Sequence, residues 1–360
     1  MGIETIQATG GDRSSPDDWY NNLPGSINSG SEHYRGQMAN ETFSGVMAVD
    51  SAKGTGSTFT ARLECQAGAA WYDNATKLEW NASDGAVMVS GAVFANCINV
   101  SDAANDYFEF VGILFDCRTW HHSRGISATS NSTDMKVDRC FFKSGHDSNT
   151  TYGAISTANS PHDIQFTNSI VYGIGPNFAT EMSIGNTTGM SFIHCLLAIS
   201  SADAPANTLM LLSGGTVSGV ILKNCAVLGY DTFISGAITF DGPNSGNNAS
   251  DFPATTMPGS NNQEGITYNA TTPLTDADDN GGYDLRAIAG AELENNGAYV
   301  PGLLSVITGA TFLDTDVFGT TRSQTTPDIG PYELAGAPPP VSVPALASKS
   351  ARGTVPLGSY

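Results

Sequence analysis

Short apolar segments recur through the middle of the chain at nearly equal intervals. They are FVGILFDC (110–117), VDRCFF (137–142), FTNSIVYG (166–173), FIHCLLA (192–198) and LKNCAVLG (222–229). Their alignment places Ile113, Cys140, Ser169, Cys195 and Cys225 in one column. The steps along this column vary little around a mean of about 28 residues, and a period held over five copies indicates an internal repeat.

A second set of segments lies between the first ones and has the same period. Its column is Ser127, Ile155, Ser183, Met210 and Ile238, with steps that are almost identical in length. All these segments are short and rich in Val, Ile, Phe and Thr, which predicts strands. The stretches between them, such as SNSTD and TANSPHD, are typical of turns. Because no helical period separates the strands, the repeat predicts coils of a parallel β-helix with equivalent residues about 4.8 Å apart.

An open stack of strands needs a cover at its first coil, because exposed strand edges promote aggregation. Ser15 and Pro16 precede DDWYNNL (17–23), and this sequence predicts a capped amphipathic turn of helix. We expect Trp19, Tyr20 and Leu23 to seal the first coil. The predicted organisation is an N-terminal cap with the first strands (1–60), the β-helix (61–334) and a C-terminal arm (335–360).

Composition and charge narrow the function classes. The chain has 15 Lys and Arg against 35 Asp and Glu, a net charge of -20. So acidic a protein is repelled by phosphate backbones, which argues against a nucleic-acid partner. No apolar run reaches the roughly 18 residues of a membrane span. The N-terminus lacks the basic and apolar regions of a signal peptide, which predicts synthesis in a host cytoplasm without export.

The end of the repeat region resembles the terminal motif of right-handed parallel β-helix repeat proteins of bacteria and tailed phages. The matching residues are Asp284, Leu285, Arg286, Asp316, Gly319, Arg322, Asp328, Ile329, Gly330, Tyr332 and Glu333. Pro331 stands where that motif usually has Ala. The opening ATGGDRSSPDDWYNNLP is similar to the start of phage and marine metagenomic proteins of this type. The predicted fold class is therefore an all-β, right-handed parallel β-helix of about 28-residue coils, with a short capping helix and an extended C-terminal arm.

The C-terminal segment differs in kind from the body. Residues 335–360 contain no acidic residue and two basic ones, Lys349 and Arg352. The run Pro338, Pro339 and Pro340 favours an extended polyproline-like conformation. One interpretation is a disordered end. The other is a docking arm, ending at Tyr360, that orders on a partner surface.

One turn concentrates chemistry that is scarce elsewhere in the chain. DCRTWHHSRG contains Arg118, Trp120, His121, His122 and Arg124. An aromatic ring flanked by cations suits an acidic sugar. The turn is a candidate for ligand or subunit contact, with an ordinary exposed turn as the alternative. No catalytic residues are predicted.

A metal site is the second candidate. Asp276, Asp278 and Asn280 match the first half of a D-x-D-x-N-G calcium loop, and Asp284 falls at its ninth position. Position 12 is Ala287 instead of Glu, so a solvated acidic turn competes with a structural calcium. No other cofactor is predicted.

The expected function is structural rather than enzymatic. An acidic rod without an evident catalytic set, a contrasting arm and the phage resemblance favour a virion-surface protein, either a capsid decoration (cement) protein or a tail-associated one. We expect a homotrimer whose arm binds major capsid or tail proteins. The alternative is a tailspike-like β-helix that binds or cleaves a host polysaccharide.

Overall fold

The structure is a computed structural model of the chain. It describes residues 2–25, 27, 33–49, 60–74, 77–91, 95–100, 107–118, 124–128, 135–144, 154–157, 163–173, 180–185, 188–202, 208–278, 282–300 and 313–334.

The chain winds into a parallel β-solenoid of about six turns, as the repeat predicts. From β2 to β22, each successive coil contributes one strand to each of three sheets, A, B and C in chain order, and the two ends of the solenoid contribute to fewer sheets. Sheet A contains β1 (Gly2–Ile6), β2 (Tyr34–Met38), β5 (Ala61–Cys65), β8 (Phe108–Val111), β11 (Met135–Asp138), β14 (Ile164–Thr167), β17 (Ser191–Ile193), β20 (Val217–Lys223) and β23 (Ile238–Phe240).

Sheets B and C complete the coils. Sheet B contains β3 (Thr42–Ser44), β6 (Val87–Val89), β9 (Leu114–Asp116), β12 (Phe141–Ser144), β15 (Ile170–Gly173), β18 (Leu196–Ile199), β21 (Ala226–Leu228), β24 (Ala249–Ser250) and β25 (Gln263–Glu264). Sheet C contains β4 (Met47–Val49), β7 (Asn96–Val100), β10 (Arg124–Ala128), β13 (Ile155–Thr157), β16 (Thr180–Gly185), β19 (Thr208–Gly214) and β22 (Thr232–Ser235). An antiparallel hairpin of β26 (Leu274–Asp276) and β27 (Asp284–Ala287) follows.

The first predicted column is confirmed as a vertical stack inside the solenoid. The N–H of Ile170 donates to the carbonyl oxygen of Cys140 (2.9 Å). One coil further, the N–H of Leu196 donates to the carbonyl oxygen of Ser169 (3.0 Å). All members of the column are buried, and burial raises the pKa of the Cys140 and Cys195 thiols, so these thiols act as protonated core residues.

The second predicted column is shifted by one residue in two coils and ends in the wrong sheet. Ile126, not Ser127, pairs with Ile155, and Met182, not Ser183, pairs with Ile155 and Met210. Ile238 lies in sheet A opposite Val217, whereas Ile234 is the partner of Met210. A one-residue slip moves a side chain to the opposite face of a strand, and Ile126 and Met182 are the side chains that the core buries.

A column of left-handed residues makes the sharp turn from sheet A to sheet B in successive coils. It comprises Gly112, Arg139, Asn168, His194, Asn224, Asn247 and Asn261, with φ between 48° and 74°. We name these seven residues the turn column. Gly and Asn adopt this conformation at least cost, which explains why five of the seven are of these types.

The first coil is sealed by the helix that the sequence predicts. Helix α1 (Pro16–Asn22) begins after Ser15, whose hydroxyl accepts from the N–H of Asp18 (3.0 Å). Trp19, Tyr20 and Leu23 are buried, and Tyr20 packs against Phe108. A second short helix, α2, spans Trp71–Asn74. No helix in the described part of the chain is long and apolar enough to cross a membrane.

Sheet B is buried on both faces along its central strands, which include β15, β18 and β21. Its inner face carries stacked rings, such as Phe115 on Phe142 (centroids 4.6 Å apart, planes 7° apart). Its outer face is covered by residues 283–300 and 313–334, which we name the closing segment, and by residues near Trp71. The outer-face side chains include Val87, Leu114, Phe141, Ile170, Leu196 and Ala226. Burial on both faces explains why the strands of sheet B read as continuous apolar runs.

Candidate functional site

The predicted turn cluster is only partly within the described residues. Trp120, His121 and His122 lie outside them, while Arg124 begins β10. The side chain of Arg118 follows β9 and is 31% exposed. Its Nε and Nη2 atoms donate to the two oxygens of Asp116 (3.0 and 2.9 Å). Asp116 therefore fixes the guanidinium beside the C-terminal end of β9.

The aromatic partner of Arg118 is Trp80. The guanidinium carbon lies 5.2 Å from the centre of the Trp80 ring. Lys143 Nζ lies 5.2 Å from that ring and also 5.2 Å from the ring of Tyr283. These distances are within the range of cation–π attraction. We name Arg118, Lys143, Trp80 and Tyr283 the cation–aromatic cluster.

Strand register and one backbone bond assemble this cluster. Lys143 stands directly beside Asp116 in sheet B, one coil later. The N–H of Trp80 donates to the hydroxyl of Tyr283 (3.1 Å). Burial raises the pKa of Tyr283, so its hydroxyl stays protonated. The repeat could have indicated Lys143, which follows Asp116 by one period. No sequence signal joins Trp80 or Tyr283 to Arg118.

The predicted calcium loop is described in part. Asn280 lies outside the described residues, and an oxygen of Asp276 accepts from the N–H of Asp278 (3.4 Å). Asp284 is buried, forms an ion pair with Arg286 and accepts from the N–H of Leu78 (3.1 Å). Among the described residues, no group of three His, Cys, Asp or Glu side chains could hold a metal ion. Calcium binding stays a prediction that a titration would test.

The motif residues that carry the resemblance form a buried charge network in the closing segment. Arg322 has a side chain 2% exposed and forms an ion pair with Glu333 (3.3 Å). It also donates to Asn168 Oδ1 in the turn column (2.9 Å). Asp316 accepts from the N–H of Glu333 (3.0 Å), and Asp328 accepts from the N–H of Leu334 (2.6 Å). The motif therefore serves to fold this segment and to join it to the solenoid.

Other members of the turn column also bind the closing segment. Arg139 donates to the hydroxyl of Thr315 (2.6 Å). The amide of Asn224 donates to the carbonyl oxygen of Ala298 (2.6 Å) and accepts from its N–H (2.8 Å). Asn247 donates to the carbonyl oxygen of Asn296 (3.3 Å). The outward-pointing side chains of the turn column thus form a strip, and the closing segment lies on this strip.

His194 occupies the middle of this strip as a neutral imidazole. Its Nε2 atom lies 3.0 Å from the amide nitrogen of Asn224, and the ring is buried. Burial, reinforced by the positive charge of Arg322, holds the pKa of His194 well below 6.5. Burial raises the pKa of Asp328 to about 6 and raises the pKa of Asp316 as well.

We predict that replacing His194 by Asn reduces the loss of stability in acid. The folded state disfavours protonation of His194, whereas the unfolded state protonates it freely below about pH 6.5. The free energy of unfolding therefore falls by up to about 1.4 kcal/mol for each pH unit below 6.5. Asp328 and Asp316 have the opposite sign, since protonating them favours the folded state. Denaturant unfolding of the unsubstituted protein and of His194→Asn, each at pH 7.5 and at pH 5, isolates the effect of histidine protonation on stability. A His194→Asn advantage that does not grow towards pH 5 would contradict the prediction.

The predicted docking arm, including Pro338, Pro339, Pro340, Lys349, Arg352 and Tyr360, lies outside the described residues. Its point of departure is defined, because Leu334 packs on the apolar cluster over sheet B. Comparison with models of known protein families gave no match, and a search of curated proteins gave none either.

Proposed function

We propose that this protein is a structural component of the virion surface of a tailed phage, most simply a capsid decoration or cement protein. A tail-associated protein is the other form of this proposal, and it would be present in only a few copies per virion. The supporting observation is the way the closing segment is fixed to the side of the solenoid. It holds Leu334, the residue before the arm, against the apolar cluster over sheet B, and an arm that follows from there can reach a shell while the solenoid stands on the surface.

Charge distribution supports this assignment. The body up to residue 334 contains 13 basic and 35 acidic residues, because the arm holds two of the 15 basic residues and none of the acidic ones. An acidic body keeps a particle soluble, and an arm of opposite charge is suited to an acidic patch on capsid or tail subunits.

The proposed homotrimer would pack through faces other than the outer face of sheet B. That apolar face is already covered by the closing segment of the same chain. A cross-linking and mass measurement of the full chain would determine the number of subunits.

Deleting residues 335–360 should lower the occupancy of the protein on particles by at least about tenfold, because the arm is the anchor. The test is a quantitative mass spectrum of virions assembled with full-length or truncated protein. Hundreds of copies of the full-length protein are expected for a shell decoration and a handful for a tail position. A control with Lys349 and Arg352 replaced by Gln separates charge from length. Full occupancy by the truncated protein would overturn the docking role, and absence of the full-length protein from virions would overturn the function.

A further inference from the structure

We propose that residues 232–240, which we name the terminal edge, bind the same residues of a second copy of this chain. The terminal edge consists of β22, the last strand of sheet C, and β23, the last strand of sheet A. Within the described part of the chain, each of these strands pairs with a neighbour on one side only. This inference is independent of the virion assignment, because it rests on the end of the solenoid alone.

The backbone of the terminal edge directs hydrogen-bonding groups away from the solenoid. The N–H of Asp241 donates to the carbonyl oxygen of Val220 (2.9 Å), so Asp241 faces β20. Because successive residues of a strand direct their N–H and C=O groups to opposite sides, those of Phe240 point to the open side of β23. An open strand edge of this kind is a template for pairing with another chain.

Apolar side chains are partly exposed along the terminal edge. Ile234, Ile238 and Phe240 pack against the core but are only partly buried. Their partners one coil earlier include Met210 and Val220, and these are fully buried. The terminal edge, TFISGAITF, contains neither a charged residue nor Pro, although the body holds 35 acidic residues. Charges and Pro are the usual protection of an exposed strand edge, so their absence here indicates a contact surface.

The same two sheets are capped at the N-terminal end of the solenoid. In sheet A, the N–H of Thr5 donates to the carboxylate of Asp12 (2.8 Å), and its carbonyl oxygen accepts from the N–H of Arg13 (3.0 Å). In sheet C, the N–H of Ala48 donates to the carboxylate of Asp17 (3.3 Å). Copies therefore do not join head to tail through these sheets. The terminal edge is left to meet an identical edge, and a two-fold axis closes such a contact.

The sequence of the terminal edge is self-complementary about Gly236. This residue, with φ 109°, forms the corner between β22 and β23. A two-fold axis through the corner places β22 of one copy antiparallel to β23 of the other. The opposed residues are then Ser235 and Ala237, Ile234 and Ile238, Phe233 and Thr239, and Thr232 and Phe240. Small residues thus face each other, as do β-branched ones, and each aromatic ring faces a Thr, which are favourable cross-strand pairs.

The residues on either side limit the contact to this stretch. In the same pairing, Asp231 of one copy lies opposite Asp241 of the other. Like charges at opposed positions repel, so the aspartates restrict pairing to the charge-free residues between them. Sheet B continues past this level as β24 and β25, and two solenoids joined here therefore meet at an angle. So short an edge fits a reversible contact with a dissociation constant in the micromolar range.

The test is sedimentation equilibrium of the full chain over about 1–200 µM. We expect the mass to double with concentration, from one subunit to two, or from three to six where the proposed homotrimer forms through other faces. Raising the salt concentration should strengthen the association, since salt screens the opposed aspartates. Hydrogen exchange at residues 232–240 should become slower as the protein concentration rises.

Thr239→Glu should weaken the association by at least about tenfold, because it adds a charge to the edge and places it near Asp231 of the other copy. Thr239 is exposed, so this variant is expected to keep the melting temperature of the unsubstituted protein. Thr42→Glu is the matched control. Thr42 is also an exposed Thr, and it lies on β3, the edge strand of sheet B at the opposite end of the solenoid.

Three outcomes would overturn the proposal. One is a mass that does not change over the whole concentration range. Another is equal weakening by Thr42→Glu, which would indicate general repulsion between acidic copies. The third is slow exchange at residues 232–240 that is independent of concentration and is lost when residues 335–360 are deleted, because the occupant of the edge would then be the arm of the same chain.

Discussion

Replacing Arg322 by Gln should lower the free energy of unfolding of the closing segment by about 3–5 kcal/mol, because removing one partner from a buried ionic network leaves the others uncompensated. The side chain is 2% exposed and faces the carboxylates of Glu333, Asp316 and Asp328. Such a loss is strongly destabilising even where the intact network contributes little net stability. The measurement is hydrogen exchange of the amides of residues 313–334, together with denaturant unfolding.

Arg286→Gln is the matched control for this prediction. Arg286 lies in the same segment and also forms an ion pair, with Asp284, but its side chain is 34% exposed. Because solvent reaches Arg286 and the buried carboxylate of Asp284 keeps the N–H of Leu78 as a partner, the control should cost less than Arg322→Gln, about 1–2 kcal/mol. Similar effects of the two substitutions would show that burial of the Arg322 network is not what holds the closing segment.

The repeat and its inner column could be predicted from the sequence because each coil must fill the same space. Cys140, Ser169 and Cys195 follow a tight turn in successive coils, so small side chains recur there at a fixed period. The second column was harder to place. Sheet C is flanked by segments of variable length, and alternation alone did not decide whether Ser127 or Ile126 points inward. Burial of the larger apolar side chain decides it.

The contacts of the closing segment could not be predicted from the repeat. Paired apolar residues such as Leu196 and Leu197 lie on opposite faces of β18 and are both buried, so the sequence does carry a signal that sheet B is covered twice. What covers it is a non-repeating segment much later in the chain, and the repeat period gives no information about that contact. Trp80 and Tyr283 were missed for the same reason, since their meeting with Lys143 depends on the path of non-repeating chain.

The same limit applies to the terminal motif. Its resemblance located Arg322, Asp328 and Glu333 in the sequence, but it did not indicate that their partners would be residues of the turn column. Asn168 has two structural roles. Its backbone adopts the left-handed conformation of the turn, and its side chain accepts a hydrogen bond from Arg322. A preference for Asn at such a turn has a conformational cause and, here, a second cause in the contact it makes with the closing segment.

Asn224 allows these two causes to be separated. Replacing it by Ala should destabilise the protein by about 3 kcal/mol, the sum of a conformational part and a hydrogen-bonding part. A left-handed non-Gly residue costs roughly 1–2 kcal/mol, and the partly buried N–H and C=O of Ala298 each lose a side-chain hydrogen bond worth about 1 kcal/mol. Asn224→Gly permits the turn and should retain the loss at Ala298. The amide of Ala298 should therefore exchange faster in both variants.

The control for Asn224 is Asn261, another residue of the turn column. Asn261 is also left-handed, with φ 59°, but it is exposed, and its side chain makes no hydrogen bond to the described part of the closing segment. Asn261→Ala should therefore cost only the conformational part, about 1 kcal/mol, and should leave exchange at Ala298 unchanged. If Asn224→Ala and Asn261→Ala had equal effects on stability and on that amide, the column would serve the turns alone. A larger effect at Asn224, concentrated at Ala298, is what a strip that binds the closing segment requires.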